Sequence, residues 1–220
     1  MRTYYTEKRA ISYNRTWQAF SAKTLTVACS TIDLTQLWKT ARTREGSPRI
    51  LDVACGTGLL LQRLAQLIPQ AELYGMDESR EMLTQARLLL GKHPRIHFAQ
   101  ASLKGKKMAE LPYQPAFFDL ITCTNALHYL DEPLAVLRGL TWLLVPQGQL
   151  VIEDYARRSF PFPWKIFEWF IKHVDPQHVQ ATTLTEVQLL CQAGGLQITA
   201  AQNFSIDLLW QGWVIAGITR

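Results

Sequence analysis

The segment Ile50-Leu51-Asp52-Val53-Ala54-Cys55-Gly56-Thr57-Gly58-Leu59-Leu60 restricts this chain more than any other stretch. A short apolar run, Arg49–Ala54, has the length of a buried strand, and it ends in a turn carrying two glycines. A helical pattern, Leu59–Leu67, follows at once. Glycines at such a turn let the backbone adopt left-handed conformations and approach a ligand closely, while the first amides of the next helix face it. A second apolar run, Ala71–Met76, is closed by Asp77, 19 residues after Gly58. An acid at that place can accept hydrogen bonds from ribose hydroxyls. Two glycines alone would say little. Strand, glycine turn, helix, strand and acid together predict a nucleoside-binding unit.

The alternation continues downstream. A helix is expected from about Ser79 to Leu90, a third strand at Arg95–Gln100, a fourth at Phe118–Cys123 and a helix from about Glu132 to Leu144. Pro146-Gln147-Gly148 then turns into a fifth strand, Gln149–Glu153, and Gln197–Ile206 with Gly212–Thr219 read as an edge hairpin. The pattern predicts an α/β chain: a Rossmann-like, seven-stranded, mostly parallel sheet with helices on both faces and a C-terminal antiparallel strand pair. Apolar positions at helical spacing around Tyr13, Trp17 and Phe20, then Leu25, Cys29 and Ile32, predict an N-terminal helical cap over residues 1–45. The break at Glu45–Pro48 opens the main domain, 46–220.

Composition sets the outer limits. With 48% hydrophobic and 19% charged residues, 220 residues suit one folded domain with a single core. No apolar run approaches the ~18 residues of a membrane span. The first residues lack an apolar signal region, and Cys29, Cys55, Cys123 and Cys191 stand apart with no metal-ligand spacing, so a cytoplasmic protein without a metal site is expected. The net charge of +5 is dispersed, with short basic groups at Arg42–Arg44, Lys104–Lys107 and Arg157–Arg158. A nucleic-acid partner would call for a contiguous basic face.

Charge also selects the ligand. A dinucleotide site usually carries a third glycine, where this chain has Leu61, and Asp52 beside the turn would repel a pyrophosphate. S-adenosyl-L-methionine combines a sulfonium, an ammonium and a ribose without any phosphate. ILDVACGTG, the acid in YGMDES, FDLITCTNALHYL and LLVPQGQLVIED resemble the successive motifs of class I S-adenosylmethionine-dependent methyltransferases, of the broad UbiE/COQ5-like small-molecule type. The resemblance implies that Asp52, Ala54, Gly56 and Gly58, with Cys55 in the same turn, line the methionine portion of the cofactor. It implies that Asp77 holds the ribose, that Met76 and Glu78 flank the adenosine, and that Asn125 sits near the methionine end. Ala101-Ser102 stands where the family typically has Gly-Asp, so a serine hydroxyl replaces the carboxylate that receives the adenine amino group. Tyr5 and Tyr13 are similar to family tyrosines near the cofactor's carboxylate or methyl, and Tyr13 is the stronger candidate. S-adenosyl-L-homocysteine is the implied product.

Methyl transfer needs mainly alignment and exclusion of water, so no further motif is obligatory. Ligands of an open parallel sheet sit at the carboxyl ends of its strands. The loop Thr124–Tyr129 lies there, and His128 is either a base working near neutral pH or a histidine packed in the loop. Asp154 and Tyr155, after strand five, are candidates to touch the acceptor or to order their loop; His173 and His178 are weaker ones. A lid insertion at about residues 156–180 carries Phe160, Phe162, Trp164, Phe167, Trp169 and Phe170. On a helix that starts at Trp164, the residues Trp164, Ile166, Phe167, Phe170, Ile171 and Val174 share an arc, with Lys165, Glu168 and Lys172 opposite and Trp169 outside it. This lid either packs on the core or walls a pocket for an aromatic or isoprenoid acceptor, with peripheral membrane contact as one context. The expected activity is methylation of a small, fairly apolar molecule. The alternatives are a cofactor-binding protein of the same fold that transfers no methyl, and a nucleic-acid or protein methyltransferase.

Overall fold

A computed structural model describes residues 5–103, 111–158 and 163–220. The expected basic group Lys104–Lys107 and the lid residues Phe160, Pro161 and Phe162 lie outside them.

Seven strands form one sheet: β1 (Arg49–Val53), β2 (Glu72–Asp77), β3 (Ile96–Gln100), β4 (Phe118–Thr124), β5 (Leu144–Tyr155), β6 (Leu196–Ser205) and β7 (Gln211–Thr219). Their order is β3-β2-β1-β4-β5-β7-β6. Pairing is parallel from β3 through β5, and β7 inserts antiparallel between β5 and β6. The order reverses between β1 and β4, which makes the carboxyl ends of those two strands the topological switch point where ligands of such sheets bind.

Side chains of successive strand residues point to opposite faces, and each face has its own apolar layer. Leu51, Val53, Ile121, Cys123, Leu150 and Ile152 face α6 (Pro133–Leu143) and α8 (Leu184–Ala193). Ile50, Leu73, Leu120 and Val151 face α2 (Gln18–Thr31), α3 (Leu34–Thr43), α4 (Leu59–Leu67) and α5 (Arg80–Leu90). α1 (Glu7–Thr16) precedes α2, and the helical spacing of Tyr13, Trp17 and Phe20 is interrupted because the chain breaks at Trp17 between the two helices. α7 (Trp164–Val174) lies in the predicted lid segment.

Three local expectations need correction. β5 starts five residues early: Phe118 pairs with Leu144 and Leu120 with Gln149, so the Pro146–Gly148 turn is absorbed as a bulge with Gln147 at φ 63°. α8 was not anticipated, although Thr183-Leu184-Thr185-Glu186 is a complete capping box. In α7 the arc does not pack on the core: Ile166, Phe170 and Val174 are 57%, 56% and 72% exposed, while Phe167, Phe170, Ile171 and Val174 line a cavity, the pocket-wall alternative. Glu168, placed on the solvent side by periodicity, turns inward to His178 Nε2 (2.9 Å) and the Ala181 amide (3.1 Å).

Candidate active site

The turn after β1 closes around a carboxylate. Asp77 Oδ2 accepts from the Gly56 amide at 2.8 Å and Oδ1 from the Ser79 amide at 2.8 Å, so the end of β2 braces the glycine turn. Burial pushes the Asp77 carboxyl up to about 6, against the lowering pull of those amide bonds. Asp52 is more deeply buried, and Thr122 donates to its Oδ1 at 2.8 Å. Burial pushes it up to about 7, with Thr122 opposing and Asp77 adding to the rise. Two buried carboxyls, with Glu78 as a third acid, thus stand in one cleft with no Lys or Arg among its described lining residues.

The two glycines do different work. Gly56 (φ 53°) lines the cleft, and a Cβ there would meet no atom within 4 Å. Gly58 (φ 83°) does not line it: a Cβ would lie 3.1 Å from Leu90 Cδ1 and 3.3 Å from Ala86 Cβ, so this glycine lets the start of α4 pack on α5. Ala54, a non-glycine residue at φ 53°, lines the cleft, as does Cys55. Burial raises the Cys55 thiol well above its usual value, so it stays protonated.

The remaining expected cofactor residues divide. Glu78 and Ala101 line the cleft. Met76 does not: it is fully buried in the apolar layer opposite, because its strand position faces α6 and α8. Ser102 does not line it either, and its hydroxyl donates to Glu78 Oε2 at 2.9 Å. Asn125 follows β4 at φ 52°, a left-handed position that asparagine tolerates. Its amide donates to Glu153 O (2.9 Å) and its Nδ2 to Thr24 Oγ1 (3.1 Å). Its buried Oδ1 has no partner among the described residues.

Beyond Asn125 the cleft meets a second cavity of about 280 Å³. Tyr5, Tyr13, Ser21, Asn125 and Tyr129 line both spaces and form their boundary. Aromatic rings dominate the second wall, including Trp17, Phe20, Tyr155, Phe167 and Trp210. His128 lines it, in a 3-10 turn at Leu127–Tyr129. Asp154 lines neither space; it is buried behind His128, with Oδ1 2.8 Å from Nδ1 and Oδ2 accepting from the His128 amide at 2.9 Å. Tyr129 Oη donates to Asp175 Oδ2 at 2.6 Å and lies 3.3 Å from Tyr5 Oη. Tyr155 Oη is 2.6 Å from His178 Nδ1. His173 is exposed and bonded to Trp169 O. Sequence reasoning missed Asp175 and the inward role of Glu168, because both act through residues brought near only by the fold.

Residues 51–150 match the family described as "Methyltransferase domain". An uncharacterized Synechococcus protein is 42% identical over 114 residues, half of this chain and 26% of its own length. The ubiquinone biosynthesis O-methyltransferase of Xanthomonas campestris is 31% identical over 71% of this chain and 62% of its own length. The chain therefore spans less than two thirds of both relatives. The crystal structure of YcgJ from Bacillus subtilis superposes with a TM-score of 0.65 at 19% identity, covering 86% of this chain and 99% of that one. The cleft fits S-adenosylmethionine on its own chemistry: two buried carboxyls with no Lys or Arg among the described lining residues, and an unpartnered amide oxygen, suit a cationic, phosphate-free nucleoside. By sheet order and by the match over residues 51–150, the chain has the Rossmann-like methyltransferase fold and is similar over that stretch to S-adenosylmethionine-dependent methyltransferases.

Proposed function

We propose that this protein transfers the methyl group of S-adenosyl-L-methionine to a small, largely apolar acceptor seated in the aromatic cavity. The observation that carries the reading is the meeting of an acid-lined nucleoside cleft with an aromatic cavity across Tyr13 and Asn125. Asp77 holds the ribose hydroxyls, and Asp52 with the Asn125 Oδ1 faces the methionine end. Gly56, Ala54 and Cys55 give the backbone wall, and Glu78 with Ala101 flanks the adenosine. The rings of the second cavity fit an aromatic or isoprenoid acceptor, and the relative named for ubiquinone biosynthesis supports that class. α1 and α2 act as the cap over both spaces, and α7 as the lid of the second.

No helix among the described residues is long and apolar enough to cross a membrane. Exposed Trp169, Phe170 and Val174 beside Lys165 and Lys172 favour contact with a membrane surface as the route for an apolar acceptor. Dispersed basic residues count against nucleic acid.

Incubation with methyl-tritiated S-adenosylmethionine and an organic extract of apolar metabolites tests the reading. Label entering the organic phase, and lost with Asp77→Asn, is the expected result. Label appearing only in protein or nucleic acid would overturn it.

A further inference from the structure

We propose that His128 is the general base for a neutral hydroxyl acceptor of phenol type, with Asp154 as its positioning residue; this rests on the methyltransferase reading above. The His128 ring is held on every side but one. Asp154 takes its Nδ1 at 2.8 Å and its backbone amide at 2.9 Å, and accepts from the Tyr155 amide at 2.8 Å. The rings of Tyr129 and Tyr155 flank the imidazole, with centroids 3.9 Å and 4.4 Å away. Both phenols are themselves anchored. Tyr129 Oη donates to Asp175, and Tyr155 Oη lies 2.6 Å from His178 Nδ1, whose Nε2 meets Glu168 Oε1 at 2.9 Å. The hydrogen bonds of the His128 ring run through Nδ1, and His128 lines the cavity, so Nε2 is the ring nitrogen we assign to the acceptor. A carboxylate on Nδ1 fixes the proton there and leaves the lone pair on Nε2.

The cavity narrows the acceptor. No Lys or Arg stands among its described lining residues, so a carboxylate or phosphate acceptor would enter unpaired. The one carboxylate among those described residues, Asp175, is engaged by Tyr129 Oη and by the Gln177 amide (3.1 Å), which disfavours an ammonium acceptor. A base is useful only where the acceptor atom carries a proton of high pKa. A phenol, with a pKa of about 10, meets that condition and places its ring among rings.

When bound, the cofactor supplies an electrophilic methyl carbon: the acceptor oxygen bonds to it as the carbon–sulfur bond breaks, the electron pair going to sulfur. The hydroxyl proton passes to His128 Nε2. Asp154 steadies the imidazolium until that proton leaves to solvent.

The test combines nitrogen-15 NMR of the His128 imidazole with kinetics, using 4-butylcatechol as acceptor and 4-butylanisole and 4-butylaniline as controls. Expected are the Nδ1–H tautomer and an Nε2 shift when 4-butylcatechol, but not 4-butylanisole, joins the complex with S-adenosylhomocysteine. His128→Gln should lower kcat by about 10²–10⁴-fold while S-adenosylmethionine affinity stays within about threefold. Asp154→Asn should lower kcat and displace the acidic limb of the kcat–pH profile. If that variant does not fold, the NMR and His128→Gln decide. An Nε2–H tautomer, a His128→Gln kcat within threefold of wild type, preferential methylation of 4-butylaniline, or failure to bind 4-butylcatechol each overturns the proposal. Failure of the wild-type protein to bind S-adenosylmethionine defeats the underlying reading instead.

Discussion

Gly56 and Gly58 are both left-handed, yet only one faces the ligand cleft. An L side chain at such a φ costs about 1–2 kcal/mol. Gly58→Ala adds crowding against Ala86 and Leu90, so it should cost a further ~1 kcal/mol or more, within the range known for overpacking. Urea unfolding of the two alanine variants should therefore rank Gly58→Ala as clearly less stable, while Gly56→Ala loses more cofactor affinity. Equal stability losses would contradict the division of roles. Sequence alone could identify the turn and its acid, because both lie on one short stretch of chain. It could not separate the glycines, since what Gly58 meets belongs to α5, 28 residues or more away.

At the level of elements, strands and helices with strong periodicity were readable. Those shaped by tertiary contacts were not. α7 shows an amphipathic pattern, but it packs through Phe167, Ile171 and an inward Glu168 rather than through its whole apolar arc. α8 carries weak periodicity and a strong start signal, in which Thr183 Oγ1 accepts from the Glu186 amide and Glu186 Oε2 from the Thr183 amide. Thr183→Ala removes that cap and should cost about 1 kcal/mol, read as a lower thermal midpoint with cofactor affinity unchanged. A midpoint equal to wild type would show that α8 is held by Val187 and Cys191 packing alone. The pairing of His128 with Asp154 spans 26 residues and that of Tyr155 with His178 spans 23, so the second half of the site becomes visible only once the sheet is assembled.

Across the whole molecule, the buried acids couple stability, pH and ligand binding. Asp52 is raised to about 7 and Asp77 to about 6, both chiefly by burial; Glu153, buried with neither oxygen partnered among the described residues, is raised well above its usual value. A carboxyl whose folded pKa exceeds its unfolded one stabilises the fold while protonated. That contribution is complete below the unfolded value and is lost as pH rises through the folded one. For Asp52 and Asp77 the loss falls between about pH 4 and 7. A cationic ligand needs the same groups ionised, so its affinity changes in the opposite sense. S-adenosylmethionine should bind at least ~10-fold more tightly at pH 8 than at pH 5.5, and its thermal upshift should grow across that interval. A pH-independent upshift would show that these carboxyls do not face the cofactor.

Calorimetric titration of S-adenosylmethionine into the wild-type protein and Asp77→Asn, with NAD as comparator, reads out which nucleoside the cleft takes and whether Asp77 holds it. Wild-type protein should bind S-adenosylmethionine and S-adenosylhomocysteine saturably. The variant should lose about 1–3 kcal/mol, as for a hydrogen bond to a charged acceptor, and NAD should give no heat. Binding of NAD in place of S-adenosylmethionine, or equal affinity in the two proteins, would contradict that assignment.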